Sequence, residues 1–290
     1  MKILTIIVTY NPSISVLNKL ITSLHNQTLD NRKSNNIIII DNNSNNINGI
    51  DSLDIETIKL NKNIGIASAQ NIGLQKAIND NYNYVLLSDQ DTSYPNDYIT
   101  KLIHHITDDV ASIGSMFLNK TTNLREGYVK SLGFKKYSQP TAGVHKSLFT
   151  IASGTIINIS NLSQIGLMAE ELFIDYVDIE WCLRAKSKGF EILINSDTLL
   201  EHSIGEESIS VLGNTYPDRS AKRMYFLTRN GIYLFFYCKY LSLTQRLSIF
   251  LKTFIYIYFY SSRGIEKTKK LKHCFIGIYH GLIKKMGNPL

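Results

Sequence analysis

Short apolar runs alternate with segments of helical spacing over the first 120 residues. Residues 4–8, 37–40 and 85–87 are almost uninterrupted hydrophobic runs, the pattern of strands buried on both faces. Between the first two runs, Val16, Leu17, Leu20, Ile21 and Leu24 recur at the period of an amphipathic helix. Residues 56–60 predict a weaker strand, residues 66–78 a helix, a further helix starts near Pro95, and residues 111–116 form another strand. Alternating strands and helices predict a mostly parallel sheet covered by helices on both faces. The second run closes in Asp41-Asn42-Asn43-Ser44, a strong turn signal.

The pattern changes after residue 119. Residues 128–134 and 149–157 predict strands around a polar loop that contains Pro140 and Gly143. A helix over about 177–188 stops at Gly189. From Arg219 onward three helices are expected, near 219–240, 244–261 and 265–285. The organisation expected is therefore a body over 1–218, divided near residue 118, and a helical region over 219–290.

Charge sharpens that division. Residues 219–290 hold 14 Lys and Arg against a single acid, Glu266, a net +13; the preceding 218 residues carry −6 of the overall +7. A basic region on an acidic body points to an anionic partner. Its bases are interleaved with large apolar residues, which favours a lipid surface over nucleic acid. Phe250, Phe254, Ile257 and Tyr258 fall at helical spacing before Lys267, Lys269, Lys270 and Lys272, the pattern of an interfacial helix. The same stripe could equally pack as core. No run reaches the roughly 18 apolar residues of a spanning helix, and residues 3–8 are too short for a signal peptide. Cys182, Cys238 and Cys274 are scattered without a C-x-x-C pair, which gives neither a zinc site nor a disulfide framework. A reducing, cytoplasmic setting is the expectation.

Candidate chemistry gathers at the strand ends. The run 84–91, Y-V-L-L-S-D-Q-D, stops at two carboxylates one residue apart, where open α/β sheets bind ligands. Asp89 and Asp91 offer hard oxygen ligands that suit Mg²⁺ or Mn²⁺ together with a diphosphate. An acidic turn is the alternative. The first strand ends in Thr9-Tyr10-Asn11-Pro12 and the second in Asp41. An aromatic ring and a carboxylate there could stack on a base and accept from a pyrimidine N3–H; Asp41 could equally form only an Asx-turn. Neither a G-x-x-x-x-G-K-[ST] loop nor a G-x-G-x-x-G after the first strand occurs.

Six segments in order, V-T-Y-N (8–11), I-D-N (40–42), N-I-G-I-A-S-A-Q-N-I-G (63–73), S-D-Q-D (88–91), S-G-T (153–155) and D-I-E-W-C-L-R (178–184), together resemble glycosyltransferase family 2. The stretch F-I-D-Y-V-D-I-E-W-C-L-R and the later Y-F-L-T-R-N (225–230) are similar to bacterial rhamnosyltransferases. The resemblance implies a GT-A fold and an inverting, metal-dependent transfer of rhamnose from dTDP-rhamnose to a lipid-linked glycan precursor of O-antigen or capsule. It also implies residue roles. Thr9, Tyr10, Asn11 and Asp41 would cradle the nucleoside, while Asn63, Gly65 and Asn71 would shape the nucleotide side. Asp89 would approach ribose and metal, and Asp91 would coordinate the ion. Gly154 and Thr155 would line the acceptor side, and Asp178 would be the base. The family's Glu before that acid is here Val177 and its later Asp is Glu180, which leaves Asp175 and Glu180 as rivals. Asp175 and Asp178 also have the spacing of a capping box, and Glu180–Arg184 that of an i,i+4 ion pair. His202 is a candidate third metal or diphosphate contact; Arg223 and Arg229 are candidate diphosphate contacts. A UDP-hexose transferase of the same fold and a non-catalytic nucleotide-binding module are the competing readings.

Overall fold

The computed structural model describes residues 1–28, 34–45, 47–119, 124–132, 138–202, 208–211, 214–262 and 265–289. Its centre is a nine-stranded sheet built from β1 (Lys2–Thr9), β2 (Ser34–Asp41), β3 (Glu56–Lys59), β4 (Tyr84–Asp89), β5 (Val110–Asn119), β6 (Leu124–Glu126), β7 (Val144–Ser147), β8 (Ile156–Asn158) and β9 (Glu191–His202). The order is β3-β2-β1-β4-β8-β5-β9-β7, with β6 added to β5. Neighbours from β3 to β4 are parallel, as are β5 and β9; β8, β6 and β7 pair antiparallel. A small hairpin, β10 (Ser208–Val211) with β11 (Asn214–Pro217), follows.

The apolar runs are continuous because successive residues serve two cores. Leu4, Ile6, Val8, Ile38, Ile40, Val85 and Leu87 face one side of the sheet. There they meet Ala67, Leu74 and Ala77 of α3 (Ile66–Asn79) and Trp181 and Ala185 of α6 (Val177–Ser187). Ile3, Ile7, Ile37, Ile39 and Leu86 face the other, against Leu17, Leu20 and Leu24 of α1 (Ile14–His25) and Ile99 and Leu102 of α4 (Tyr98–Ile103). Between these lie the short α2 (Ile47–Asp51) and α5 (Leu162–Ile165). Each such buried Leu or Ile contributes ~1.5–3 kcal/mol.

Two expected strands are displaced. The described part of 128–134 is irregular, because a side-chain amide replaces a strand partner: Tyr128 N–H donates to Gln139 Oε1 (3.0 Å) and Gln139 Nε2 returns a bond to Tyr128 O (3.1 Å). Residues 133 and 134 lie outside the described residues. The strand instead forms at Val144–Ser147, within the segment expected as loop. Of the expected strand 149–157, only its end becomes β8, since Gly154 adopts a left-handed φ of +83° and turns the chain.

Three helices follow as expected: α7 (Ala221–Tyr237), α8 (Leu243–Ser262) and α9 (Lys267–Leu282). Ser220 caps α7, its Oγ accepting from Arg223 N–H. Helix α9 meets α7 backbone to backbone, because a Cβ on Gly277 or Gly281 would stand 2.7 Å from the carbonyl of Tyr225 or Arg229. Leu183 of α6 packs with Leu234, Cys238, Leu241 and Ile249, so the helical region is joined to the body. Among the described residues no helix is long and apolar enough to cross a membrane.

Candidate active site

Parallel register brings the ends of β1, β2 and β4 side by side: Thr9 pairs with Asp41, and Val8 with Asp89. The Asp41 carboxylate is fully buried. It accepts from Thr9 Oγ1 (2.9 Å), Ser44 N–H (2.9 Å) and the Ser44 hydroxyl. The Ser44 oxygen in turn accepts from Asn11 N–H (2.8 Å), and Asn11 Oδ1 accepts from Asn45 N–H (2.8 Å). Asn11 itself stands in left-handed backbone, φ 48°. Both expected roles of Asp41 thus begin with the same turn-forming contacts, and Tyr10 beside it is 51% exposed, open to stacking. The Tyr10 backbone is clasped by Gln90, whose Oε1 accepts from Tyr10 N–H at 2.9 Å. Asn42 Nδ2 donates to Asn63 Oδ1 (3.1 Å), which also accepts from Gly65 N–H (3.0 Å). Only glycine fits at 65: φ is +87° and a Cβ would lie 2.5 Å from the Phe173 carbonyl.

Asp89 closes β4, its N–H donating to Ser153 Oγ (3.2 Å), which is also bonded to Thr92 Oγ1 (2.6 Å). Asp91 is exposed. No hydrogen bond or ion pair engages its carboxylate among the described residues. Among those residues no group of three or more His, Cys, Asp and Glu is arranged to hold a metal. The pair supplies two carboxylates of the hard-oxygen type that Mg²⁺ and Mn²⁺ prefer, a partial set that substrate oxygens and water would complete. His202 ends β9 opposite Asn119 of β5; its side chain lies outside the described residues.

Asp178 lies in the first turn of α6. Its Oδ2 accepts from Ala152 N–H (3.3 Å) and its Oδ1 from Ile179 N–H (2.8 Å). Burial above all, with a smaller push from the charges of Asp89 and Asp175 and against the two backbone donors, raises this carboxyl to about 6. A carboxyl poised near neutrality beside the strand-end acids has the character of a general base. The capping-box alternative is not formed: the N-cap is Tyr176, in left-handed backbone without a side-chain cap. Glu180 is buried in an ion pair with Arg184 (2.7 Å) and also accepts from Tyr240 OH. It is therefore spoken for. Asp175 Oδ1 accepts from Arg219 and Arg223 at 3.3 Å.

The sequence model described as Glycosyl transferase family 2 matches residues 5–162. The chain is also 35% identical over 240 residues to "dTDP-rhamnosyl transferase RfbF" of Shigella flexneri, covering 80% of this chain and 79% of the relative. The chain belongs to glycosyl transferase family 2. Solved glycosyltransferases share its GT-A fold at low identity. GalNAc-T7, crystallised with UDP, GalNAc and Mn²⁺, superposes with a TM-score of 0.62 at 14% identity, over 98% of this chain and 56% of that one. The mannosyltransferase PcManGT of Pyrobaculum calidifontis, with GDP-Man and Mn²⁺, gives 0.59 at 10% identity over 97% and 75%. TarS 1-349 of S. aureus with UDP-GlcNAc gives 0.56 at 16% over 97% and 81%. The chain spans 43% of a longer TarS chain.

In this glycosyltransferase four expected contacts are corrected. Arg229 does not reach the strand ends: it is fully buried, bonded to carbonyls of Gly287, Glu171 and Leu172 and to Asn230. Asn71 spends its amide on Met168 and Glu170, tying α3 to that loop instead of facing a nucleotide. Gly154 is pressed against Tyr98 and Leu200, with Tyr98 OH donating to its carbonyl. Thr155 is buried with its hydroxyl on Thr150 and Ile151. These two build the loop behind the site and do not line it. Gln90, Ser153 and Phe173 were given no role in the sequence reading, although each lies in one of the quoted segments, S-D-Q-D, S-G-T and F-I-D-Y-V-D-I-E-W-C-L-R.

Proposed function

We propose that this chain is an inverting, divalent-metal-dependent rhamnosyltransferase that moves rhamnose from dTDP-rhamnose to a hydroxyl of a lipid-linked glycan precursor, in O-antigen or capsule assembly. The observation that carries the reaction class is Asp178: a partly buried carboxyl with its pKa raised to about 6, electrostatically coupled to Asp89. The relative named as a dTDP-rhamnosyl transferase supports the donor. Asp178 accepts the proton of the acceptor hydroxyl as that oxygen attacks the anomeric carbon opposite the diphosphate. Thr9, Tyr10, Asn11 and Asp41 hold the nucleoside, with the Gln90 clasp fixing the Tyr10 backbone. Asp89 and Asp91 would hold Mg²⁺ or Mn²⁺, as the Mn²⁺ named with two fold neighbours supports. When bound, the ion offsets charge growing on the departing diphosphate.

The donor is tested by thermal shift and hydrolysis across dTDP-rhamnose, UDP-glucose, UDP-galactose and UDP-N-acetylglucosamine, with Mg²⁺ and Mn²⁺. A true donor stabilises the native state in proportion to the logarithm of its concentration over Kd. A hydrophobic pocket separates a methyl from a hydroxymethyl by only ~1–3 kcal/mol, so some turnover of other donors is expected. Response to a UDP-hexose and none to dTDP-rhamnose would establish the UDP-hexose reading instead.

A peripheral position on the cytoplasmic membrane face belongs to the same proposal. Helix α8 exposes Leu243, Leu247, Leu251, Phe254, Ile255 and Tyr258, which lie on one helical stripe. Exposed Lys267, Lys269, Lys272, Lys284 and Lys285 lie on and beyond α9. Of the stripe read from sequence, Phe254 and Tyr258 are exposed, whereas Phe250 packs on Phe235. Apolar insertion with basic attraction suits an anionic surface. In vesicle flotation the full chain should follow anionic vesicles more than neutral ones, and Leu251→Glu with Phe254→Glu should abolish this. Equal behaviour on both vesicles would remove the electrostatic part.

A further inference from the structure

Arg229 and Asn230 are both fully buried in α7. Among the described residues no carboxylate pairs with Arg229. A buried guanidinium hydrogen-bonded only to neutral acceptors, with the Glu171 charge nearby as partial compensation, is costly and depends on complete hydrogen bonding. Beyond the Gly287 carbonyl and the Asn230 side chain, the acceptors of this Arg229–Asn230 pair are backbone carbonyls of one segment. Arg229 donates to Glu171 O (3.1 Å) and Leu172 O (2.9 Å); Asn230 Nδ2 donates to Leu172 O (3.0 Å), Ile174 O (2.8 Å) and Asp175 O (2.9 Å). Asn230 Oδ1 turns back to accept from Arg229, which fixes the amide orientation. The remaining carbonyl of the row, Phe173 O, accepts from Ile66 N–H (2.8 Å). The Phe173 ring stacks on Phe226 at 4.7 Å, and Arg229 lies 5.0 Å over the centre of the same Phe226 ring.

Every carbonyl from 171 to 175 is thus held from outside the segment, and that segment needs holding. Phe173, Asp175 and Tyr176 all have left-handed backbone, with φ of 65°, 62° and 66°. Such backbone persists at non-glycine residues only where the surroundings over-determine it. Val177 then begins α6 and Asp178 is its second residue.

We propose that Arg229 and Asn230 are positioning residues for glycosyl transfer: by gripping the carbonyls of 171, 172, 174 and 175 they hold the left-handed turn that aims Asp178. The inference rests on Asp178 being the base. It makes the helical region part of the catalytic unit, although neither residue touches substrate.

The test uses the full chain with Arg229→Lys, which keeps the charge but loses the fork, and with Asn230→Ala. In folded variants kcat should fall roughly tenfold to a hundredfold, the cost of a misplaced catalytic group. Donor KM and donor-induced thermal shift should stay within about twofold of wild type, because the strand-end contacts are untouched. The acidic limb of the kcat profile should also move, since the Asp178 environment changes. Unchanged kcat, or kcat and donor binding falling together without movement of that limb, would overturn the proposal. Amide exchange of the wild type covers variants that fail to fold. The amides of Ile66, Phe173 and Ile174, bonded to the carbonyls of Phe173, Glu170 and Leu172, should be protected like those of α7, and exchange as fast as exposed loops would overturn it. Full activity of Asp178→Asn would instead remove the base assignment, a result separable from the exchange measurement.

Discussion

At the ends of β1 and β2 the buried polar side chains are held by neighbours on adjoining strands and turns, as Asp41 is by Thr9 and Ser44. The turn before Asp178 is held by residues 55 to 58 positions further along the chain. The first arrangement is set by sheet register, the second by docking of a later helix. A strand-end site survives local substitution as long as the sheet forms. The Asp178 turn depends on helix packing that only the complete chain supplies. Damage in the two regions should therefore differ in kind: lost charge handling at the strand ends, lost proton transfer with altered stability around α6.

The largest effect is expected at the strand ends. Asp91→Ala should reduce nucleotide-sugar turnover by roughly 10³ or more, the scale of lost metal stabilisation, and chelation of the wild type should do the same. Its melting should stay within about 0.5 kcal/mol of wild type, because the side chain is exposed. Full activity in EDTA would remove the metal role.

Around α6 the expected signature is a rate loss with a stability gain. Asp178→Asn should slow turnover by roughly 10²–10⁴ while sparing donor binding. The wild-type kcat/KM should rise with pH through about 6, as the carboxyl ionises. Its folded pKa lies above the ordinary 3.8, so the native state holds this proton more tightly than the unfolded chain. Stability from this group is complete below the ordinary value and is lost as pH rises through about 6. The Asn variant has no such proton, so denaturant melts should show it gaining on wild type as pH rises. The gain is of order 2–3 kcal/mol, less about 1 for the weakened Ala152 bond. A stability gap that stays flat from acid to neutral pH would place the Asp178 carboxyl in water.

The smallest expected effect on chemistry belongs to Glu180. Glu180→Ala strands the Arg184 charge in a buried setting and should cost about 3–5 kcal/mol, with turnover per folded molecule nearly intact. An inactive but folded Glu180→Gln protein would move the base to that residue.

The same contrast explains what could be read before the fold was seen. Strand runs 4–8, 37–40 and 85–87 announced the sheet, and its parallel register then set Thr9 beside Asp41 and Val8 beside Asp89. The i,i+4 pair of Glu180 and Arg184 was equally local. Arg229 was misjudged because a basic residue in a basic region looks available, and nothing nearby in sequence reveals that its acceptors are carbonyls 171 and 172. Strand β9 had no clean alternation: its pairing with β5 shifts register between Ser115 and Met116, where Asn195 and then Leu199 are the partners. The misplaced strand at 128 failed because Gln139 supplies both bonds that a ladder neighbour would have given.

One contact made by Phe173 reaches beyond the turn it belongs to. Its carbonyl accepts from Ile66 N–H at 2.8 Å and lies 3.5 Å from Ala67 N, covering the first turn of α3. A helix start in an α/β sheet is the usual cradle for phosphate, through free amides and the positive end of the dipole. Here the protein has already seated an oxygen of its own in that cradle. Under the proposed reading, a diphosphate at the strand ends would meet Asp89 and Asp91, two negative groups, and not the amides of this helix. Donor capture under the proposed reading is therefore a three-body event, in which nucleotide and cation arrive as one neutralised unit. Donor affinity should accordingly follow free cation concentration steeply, and added inorganic phosphate should compete poorly.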